Sequence, residues 1–342
     1  MTRMIGVGLI GYGLGGRAFH APYVAATPGL ALRAVVSRDP AKVQADLPTM
    51  RVVPTVEALL AEPDIELVIV SSPDALHAEH AIAALAAGRH VLVDKPFATS
   101  LGDARRIVAA AESAGRLLSV FHNRRWDADF LTLRALLRDG TLGEVATMES
   151  RFDRWRPSAA AVWKEARAGG SWLDLGPHLV DQALLLFGRP LAVHADLAAL
   201  RADAPAPDYF RATLRYPDRR VTLHSTKLAA DHALRFAVHG TRASWIKHGL
   251  DPQEAATLAG RAPGGDDWGH DAREGWLTPG DDQGAARAHP NLRGDYRLFW
   301  EALAAAVRGE APNPVPAHEA LAVMEVLDAG LRSAAERREV AL

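Results

Sequence analysis

Gly8-Leu9-Ile10-Gly11-Tyr12-Gly13-Leu14-Gly15-Gly16 decides how the rest of this chain is read. The apolar run Met4 to Ile10 before it predicts a buried strand, and the residues after Gly16 predict a helix. Gly11, Gly13 and Gly16 therefore form a G-x-G-x-x-G at a strand-to-helix turn. The first glycine permits the tight turn, the second lets backbone approach a pyrophosphate, and the third lets helix pack on strand. Free N–H groups at the start of the helix favour an anion there. The spacing alone also suits a plain structural turn, but the strand–turn–helix setting points to a dinucleotide.

Working outward, Arg17 to Ala26 is a predicted helix stopped by Pro28-Gly29, and Leu32 to Val36 a second strand. An NAD site usually places an acid at the end of that strand for the ribose 2′-hydroxyl. Here Ser37 and Arg38 stand there, and a hydroxyl with a guanidinium suits a 2′-phosphate. Asp39 is the competing ribose acid, but it precedes Pro40 and better resembles the cap of the next helix. The expectation is NADP, with NAD the alternative.

Strand Leu67 to Val70 closes on Ser71-Ser72-Pro73-Asp74, at the sheet edge where open α/β sheets bind ligands. His77, in the first turn of the following helix (Ala75 to Ala87), can face the cofactor, while His80 reads as a surface residue. His90-Val91-Leu92-Val93 then delivers Asp94-Lys95-Pro96 to the same edge. A lysine held beside a nicotinamide could steady a developing alkoxide, although most lysines are merely solvated. Helix Leu101 to Ala114 and strand Leu117 to Phe121 complete an alternation that predicts a doubly wound parallel sheet.

Beyond Gly143 the pattern changes. Segments 144–153, 191–198, 208–216, 219–227 and 234–247 read as longer strands with hairpin signals at Pro217-Asp218 and Gly240-Thr241. They predict an α+β domain with a large, mostly antiparallel open sheet, whose second face invites a homodimer or homotetramer. The domains are expected at 1–122 and 123–342. Between the first two of these strands, Gly169-Gly170 leads through Asp174 to His178. Asp174 is read as the helix cap, with Pro177 tolerable in the first turn. Asp174 and His178 share one helix face four residues apart, which suits general acid–base work as well as it suits a cap and an incidental histidine. Residues 251–293, rich in Gly, Pro and Asp, read as a long surface loop carrying Trp268, His270 and Trp276, without a metal-ligand spacing. Asp295 to Arg308 and His318 to Arg337 read as amphipathic helices.

The 39 basic and 41 acidic residues nearly cancel, which speaks against a general nucleic-acid or membrane binder. With no cysteine there is no disulfide, thiolate nucleophile or cysteine-held metal. No apolar signal segment precedes the first strand and no apolar run could span a bilayer, so the expected location is cytoplasmic.

Taken together, these motifs resemble the glucose–fructose oxidoreductase, inositol dehydrogenase and MocA family over the whole chain. The resemblance rests on Gly11 to Gly16, Ser71 through His77, Asp94-Lys95-Pro96, Gly169-Gly170 through Asp174 and His178, and the closing helices. The family usually has Glu where Asp94 stands. Val93 to Phe97, Val120 to Asp127, Asp153-Arg154-Trp155-Arg156-Pro157, Asp251 to Glu254 and Ser37-Arg38 resemble the NADP-dependent scyllo-inositol dehydrogenase branch. The resemblance implies hydride transfer between a secondary alcohol of a cyclitol or sugar and a nicotinamide. It implies a cofactor site at Gly11, Tyr12, Gly13, Leu14, Gly15, Gly16, Ser37, Arg38, Ser72, Pro73, His77, Asp94, Lys95 and Asn123. It implies Lys95, Asp174 and His178 as the catalytic set, joined by Asn123, Arg124, Trp155, Trp163 and Lys164 around the polyol. For Trp155 and Trp163, plain packing is the alternative. The rival functions are a cofactor-recycling glycosidase of the same fold and an NADP-binding, sugar-sensing regulator without turnover.

Overall fold

The computed structural model describes residues 3–159, 169–231, 233–281 and 284–342. Contacts divide the chain into two units: Met1–Asn123 with Gln253–Trp268 and Asp295–Leu321, and Arg124–Pro252 with Gly269–Gly294 and Ala322–Leu342.

In the first unit the strands are β1 (Ile5–Ile10), β2 (Leu30–Val36), β3 (Arg51–Val53), β4 (Leu67–Val70), β5 (His90–Val93) and β6 (Leu118–Val120). They form one sheet in the order β3-β2-β1-β4-β5-β6, all pairs parallel. The connecting helices are α1 (Ala21–Ala26), α2 (Pro40–Asp46), α3 (Val56–Leu60), α4 (His77–Ala86) and α5 (Leu101–Ala114). Every residue of β1, β4 and β6 is buried, as expected of strands covered by helices on both faces. The expected doubly wound sheet is thus present. The helix expected after Gly16 has a different start: Gly15–His20 is a π-helical stretch, and α1 follows it.

The second unit begins with the 3₁₀ turn into α6 (Ala128–Arg138) and β7 (Val145–Arg151), then α7 (Gly170–Phe187). Next come β8 (Ala192–Ala198), β9 (Tyr209–Arg215), β10 (Arg220–Thr226), β11 (Leu234–Gly240) and β12 (Ala243–His248). Among the described residues they build a nine-stranded sheet with β13 (Gly275–Pro279), β14 (Arg287–His289) and β15 (Val340–Ala341). Its order is β14-β13-β12-β11-β7-β10-β9-β8-β15, antiparallel except for β7 with β10. One face, including Phe210, Ala212, Leu214, Val221 and Leu223, is fully buried. Helix α7 packs on β9 and β10.

Two expectations change. Helix α7 starts at Gly170, with the left-handed Gly169 at its N-cap, so Asp174 lies inside the helix rather than capping it. Pro177 is then an interior proline that cannot donate to the Leu173 carbonyl. The segment 251–293 is not one loop. It holds α8 (Gln253–Leu258), β13 and β14, and Trp268 is 1% exposed. Within the first unit Trp268 packs against Tyr23, and the Gln253 side-chain oxygen accepts both Trp268 Nε1–H (3.2 Å) and the Tyr296 N–H (2.8 Å). The remaining helices are α9 (Arg297–Val307) and α10 (Ala317–Glu336). Among the described residues, no helix is long and apolar enough to cross a membrane.

Candidate active site

The register of the parallel sheet brings the motifs of the first unit to one edge. Ile10, Val36, Val70, Val93 and Val120 pair in a single row. Gly11, Ser37, Ser71, Asp94 and Phe121 are therefore the first residues beyond that edge. The strand order reverses at β1 and β4, and ligands of open sheets bind outside the carboxyl ends at such a point.

The glycine turn has the shape that the motif predicts. Gly11 has φ 97°, and a Cβ there would sit 2.5 Å from the Ser71 carbonyl oxygen. A Cβ at Gly16 would collide with the Gly11 carbonyl, so this glycine lets the helix close on the strand. A Cβ at Gly13 would meet nothing within 4 Å. That open space at the second glycine is what close approach of a pyrophosphate requires, and the residues fit a dinucleotide. Leu14 projects at the tip, 53% exposed. Tyr12 is buried against Asp46, its Oη donating to Oδ2 at 3.3 Å, and burial with that carboxylate pushes the phenol up to about 12. Asp46 also pairs with Arg17 at 2.7 Å.

At the end of β2, Asp39 is the N-cap of α2, its Oδ1 accepting the Lys42 N–H at 3.1 Å. Ser37 Oγ accepts the Asp39 N–H at 3.1 Å. Arg38 is exposed.

The next turns interlock. His77 is 2% exposed and bridges two carbonyl oxygens, Pro96 from Nδ1 (2.9 Å) and Ser72 from Nε2 (3.0 Å). The loop carrying Ser72 and Pro73 is thereby tied to the loop carrying Lys95. His80, read from sequence as a surface residue, is only partly exposed and meets Ser72 Oγ at 3.0 Å; burial pulls its pKa down. Asp94 accepts the Lys95 N–H at Oδ1 (2.8 Å), and at Oδ2 a hydrogen bond from Ser71 Oγ–H (3.1 Å) and one from His20 Nε2–H (3.2 Å). Burial alone would raise the Asp94 carboxyl, but the neighbouring His20, then His77 and Lys95, hold it well below the usual carboxylate range. Asn123, 5% exposed, opens the turn after β6. Sequence reasoning missed His20, and it put Ser71 at the ligand edge without giving it a role. No motif contains His20, and its partner Asp94 is 74 residues away.

In the second unit, Asp174 and His178 lie one turn apart on α7, Asp174 partly exposed and His178 buried. The His178 ring meets Phe152 edge-on, with centroids 6.2 Å apart. Phe152 also carries the Arg124 guanidinium 4.9 Å and that of Arg235 4.3 Å from its centroid. Arg235 is fully buried and donates to Asp129 (3.1 Å), Ser150 (2.7 Å) and Gln182 (2.6 Å). Burial pulls the guanidinium down, opposed by Asp129 and Asp127. Arg125 clamps Asp181 from Nε (2.9 Å) and NH2 (2.6 Å). Around Phe152, the ring that His178 meets, there is thus a buried set of charges that the sequence did not announce. Trp155 is 52% exposed and bridges to Leu228, which excludes a core role for it. Trp163 and Lys164 lie outside the described residues.

Comparison with known proteins agrees with this geometry. The family model described as "Oxidoreductase family, NAD-binding Rossmann fold" matches residues 5–122. The one described as "Oxidoreductase family, C-terminal alpha/beta domain" matches residues 134–342. An uncharacterized oxidoreductase of Escherichia coli (strain K12), YdgJ, is 48% identical, with 100% of both chains covered. The scyllo-inositol 2-dehydrogenase (NADP(+)) IolW of Bacillus subtilis (strain 168) is 38% identical, covering 99% of this chain and 96% of the relative. The solved structure of YPO2259 from Yersinia pestis superposes with a TM-score of 0.97 at 47% identity, covering 100% of this chain and 98% of the other. With both family domains matched in order, this chain belongs to the GFO/IDH/MocA family of oxidoreductases and carries its NAD(P)-binding Rossmann domain.

Proposed function

We propose that this protein is an NADP-dependent dehydrogenase acting on a secondary alcohol of a cyclitol or sugar, with scyllo-inositol the first substrate to test. The observation that carries the cofactor choice is the Asp39 cap. Its carboxylate is engaged by the Lys42 N–H and the Ser37 hydroxyl bonds the Asp39 backbone, so the exposed Arg38 guanidinium is the charged group offered at the end of β2. A charged fork there suits a 2′-phosphate, while the first acid after β2 serves as a helix cap. The substrate class is supported by similarity to the scyllo-inositol 2-dehydrogenase (NADP(+)) of Bacillus subtilis.

In this reading residues 1–122 serve the cofactor and residues 123–342 the substrate. Bound nicotinamide supplies the hydride acceptor. His178 takes the hydroxyl proton as the carbon loses hydride, so the C–H and O–H bonds break and a carbonyl forms. Asp174, one turn earlier on α7, orients the substrate and stabilises the imidazolium. The Lys95 ammonium donates to the reacting oxygen and stabilises its developing charge. Gly11 to Gly16, Ser72, Pro73, His77, Asp94 and Asn123 shape the cofactor cradle, and Arg124 and Trp155 contribute to the polyol pocket. The outer face of the nine-stranded sheet carries Asp196, Arg211, His224 and Arg151 in one cross-strand row, and this charged face is proposed to pair two copies.

The test is NAD(P)H absorbance across a panel of inositols and aldoses, each offered with NADP or NAD. NADPH formation with scyllo-inositol or a close relative is the expected result. Turnover favouring NAD, or tight NADP binding with silence across the panel, overturns the reading.

A further inference from the structure

His20 ends the π-helical stretch after the glycine turn and is 0% exposed. Its ring is walled by Phe121 (centroids 4.7 Å apart) and Trp300 (5.7 Å, edge-on at 78°). Within this aromatic pocket its one polar contact among the described residues is Nε2 with Asp94 Oδ2, while Nδ1 has no hydrogen-bond partner there. Burying an imidazole nitrogen without a partner is costly. A leucine or phenylalanine would fill such a pocket without that cost. What the imidazole adds over a hydrocarbon is the single hydrogen bond to Asp94.

That bond has a defined consequence. The Asp94 carboxylate divides its two oxygens between two tasks. Oδ2 takes His20 and Ser71, and Oδ1 takes the peptide N–H of Lys95. The glycine turn rests on the same group, since a Cβ at Gly15 would lie 2.6 Å from both Asp94 Oδ2 and Ser71 Oγ. Across the turn, His77 holds the Pro96 carbonyl. Lys95 therefore stands on a backbone held on both sides, one of them through the Asp94 carboxylate.

We infer that His20 is a positioning residue for Lys95: its hydrogen bond fixes the rotamer of Asp94, whose other oxygen fixes the Lys95 peptide, and so sets where the lysine side chain begins. Preorganisation of this kind matters because a displacement of about 1 Å in a reacting group can cost on the order of 100-fold in rate. The functional part of the inference rests on the proposed role of Lys95; the tether itself does not.

The experiment uses the full chain with His20→Leu, His20→Gln and Asp94→Asn, and Lys95→Met in parallel. Two readouts are taken: hydrogen exchange of the peptide containing the Lys95 amide, and kcat and KM with NADP and scyllo-inositol. In His20→Leu the Lys95 amide is expected to exchange at least about tenfold faster. Its kcat is expected to fall roughly 10- to 100-fold with little change in KM for NADP. His20→Gln, which keeps a side-chain N–H donor, recovers most of both. In Asp94→Asn the side-chain nitrogen cannot accept from His20 and Ser71 as Oδ2 does, so the Lys95 amide is expected to exchange faster there too, and this readout substitutes for the leucine variant if His20→Leu does not fold. Unchanged Lys95 exchange in His20→Leu, or a glutamine variant as impaired as the leucine, overturns the inference. Full turnover in Lys95→Met defeats the catalytic reading of the lysine instead, and the exchange measurement still decides the tether, including on a protein inactive with scyllo-inositol.

Discussion

Asp39 Oδ1 accepts the backbone N–H of Lys42, so the first acid after β2 is engaged at the start of a helix. Arg38→Ala is expected to weaken NADP by roughly 10- to 100-fold, the worth of a hydrogen bond to a charged group, and to leave NAD nearly unchanged. Asp39→Ala should cost about 1 kcal/mol of stability as a lost N-cap, without altering the NADP-to-NAD ratio. Coenzyme titration of both variants, with urea unfolding of the second, checks the pair. An equal loss of both coenzymes in Arg38→Ala would remove the 2′-phosphate assignment.

Gly13 and Gly16 should respond differently to the same methyl group. At Gly16 it strikes the Gly11 carbonyl, so Gly16→Ala is expected to lower stability by about 1–3 kcal/mol. At Gly13 it meets no protein atom, so Gly13→Ala should melt like the parent and yet bind NADPH poorly, because the methyl takes the space of the pyrophosphate. Thermal melting beside a fluorescence titration separates the two. Undiminished binding by Gly13→Ala would show that the cradle is not used.

Lys95→Met should retain NADP binding and lose about 100-fold or more in turnover, as expected when a group that donates to the reacting oxygen is removed. Steady-state rates with scyllo-inositol and NADP are the measurement, and near-parental kcat contradicts the assignment.

The Arg235–Asp129 pair is completely buried, and Arg235 lies 4.3 Å from the Phe152 ring centroid, the same ring that the His178 edge meets. Asp129→Ala leaves a buried guanidinium short of its counter-charge and should cost about 3–5 kcal/mol. Urea unfolding checks it. A cost below about 1 kcal/mol would mean that solvent reaches the arginine.

His90 supplies a pH dependence with a defined sign. Its Nδ1 accepts the Leu117 N–H at 3.0 Å, which requires a lone pair on that nitrogen. Burial, then Arg116, depresses its pKa below the ordinary histidine value. The folded state thus binds fewer protons than the unfolded chain. Its contribution is present above the ordinary value near ~6.5 and is lost as pH falls through it toward the depressed folded value. The parent should melt at a lower temperature at pH 5 than at pH 7. His90→Asn, which keeps an acceptor but cannot titrate, should lose part of that dependence. An unaltered slope would place the dependence elsewhere.

The sequence by itself determined the parallel strands β1, β2, β4, β5 and β6 of the first unit, but not β3, α3 or α8. A strand, a three-glycine turn and a helix start are local events, and so are a strand of alternating apolar residues and a capped helix such as Leu101–Ala114. It also determined which residues leave the parallel strands at the ligand edge, because parallel strands share one direction. The tertiary structure decided what depends on distant partners. Helix α8 and strands β13 and β14 lie in a Gly-, Pro- and Asp-rich stretch without periodicity, and they exist because Gln253 binds Trp268 and Tyr296 and because β12 offers an edge. Asp174 looks like a cap beside Pro177, yet the helix begins at Gly170, where a Cβ would strike the backbone of Pro207. Arg235 finds Asp129 across 106 residues, and His20 finds Asp94 across 74. Pairings of this kind carry no spacing signal, because burial selects the partner and burial is a property of the packed chain.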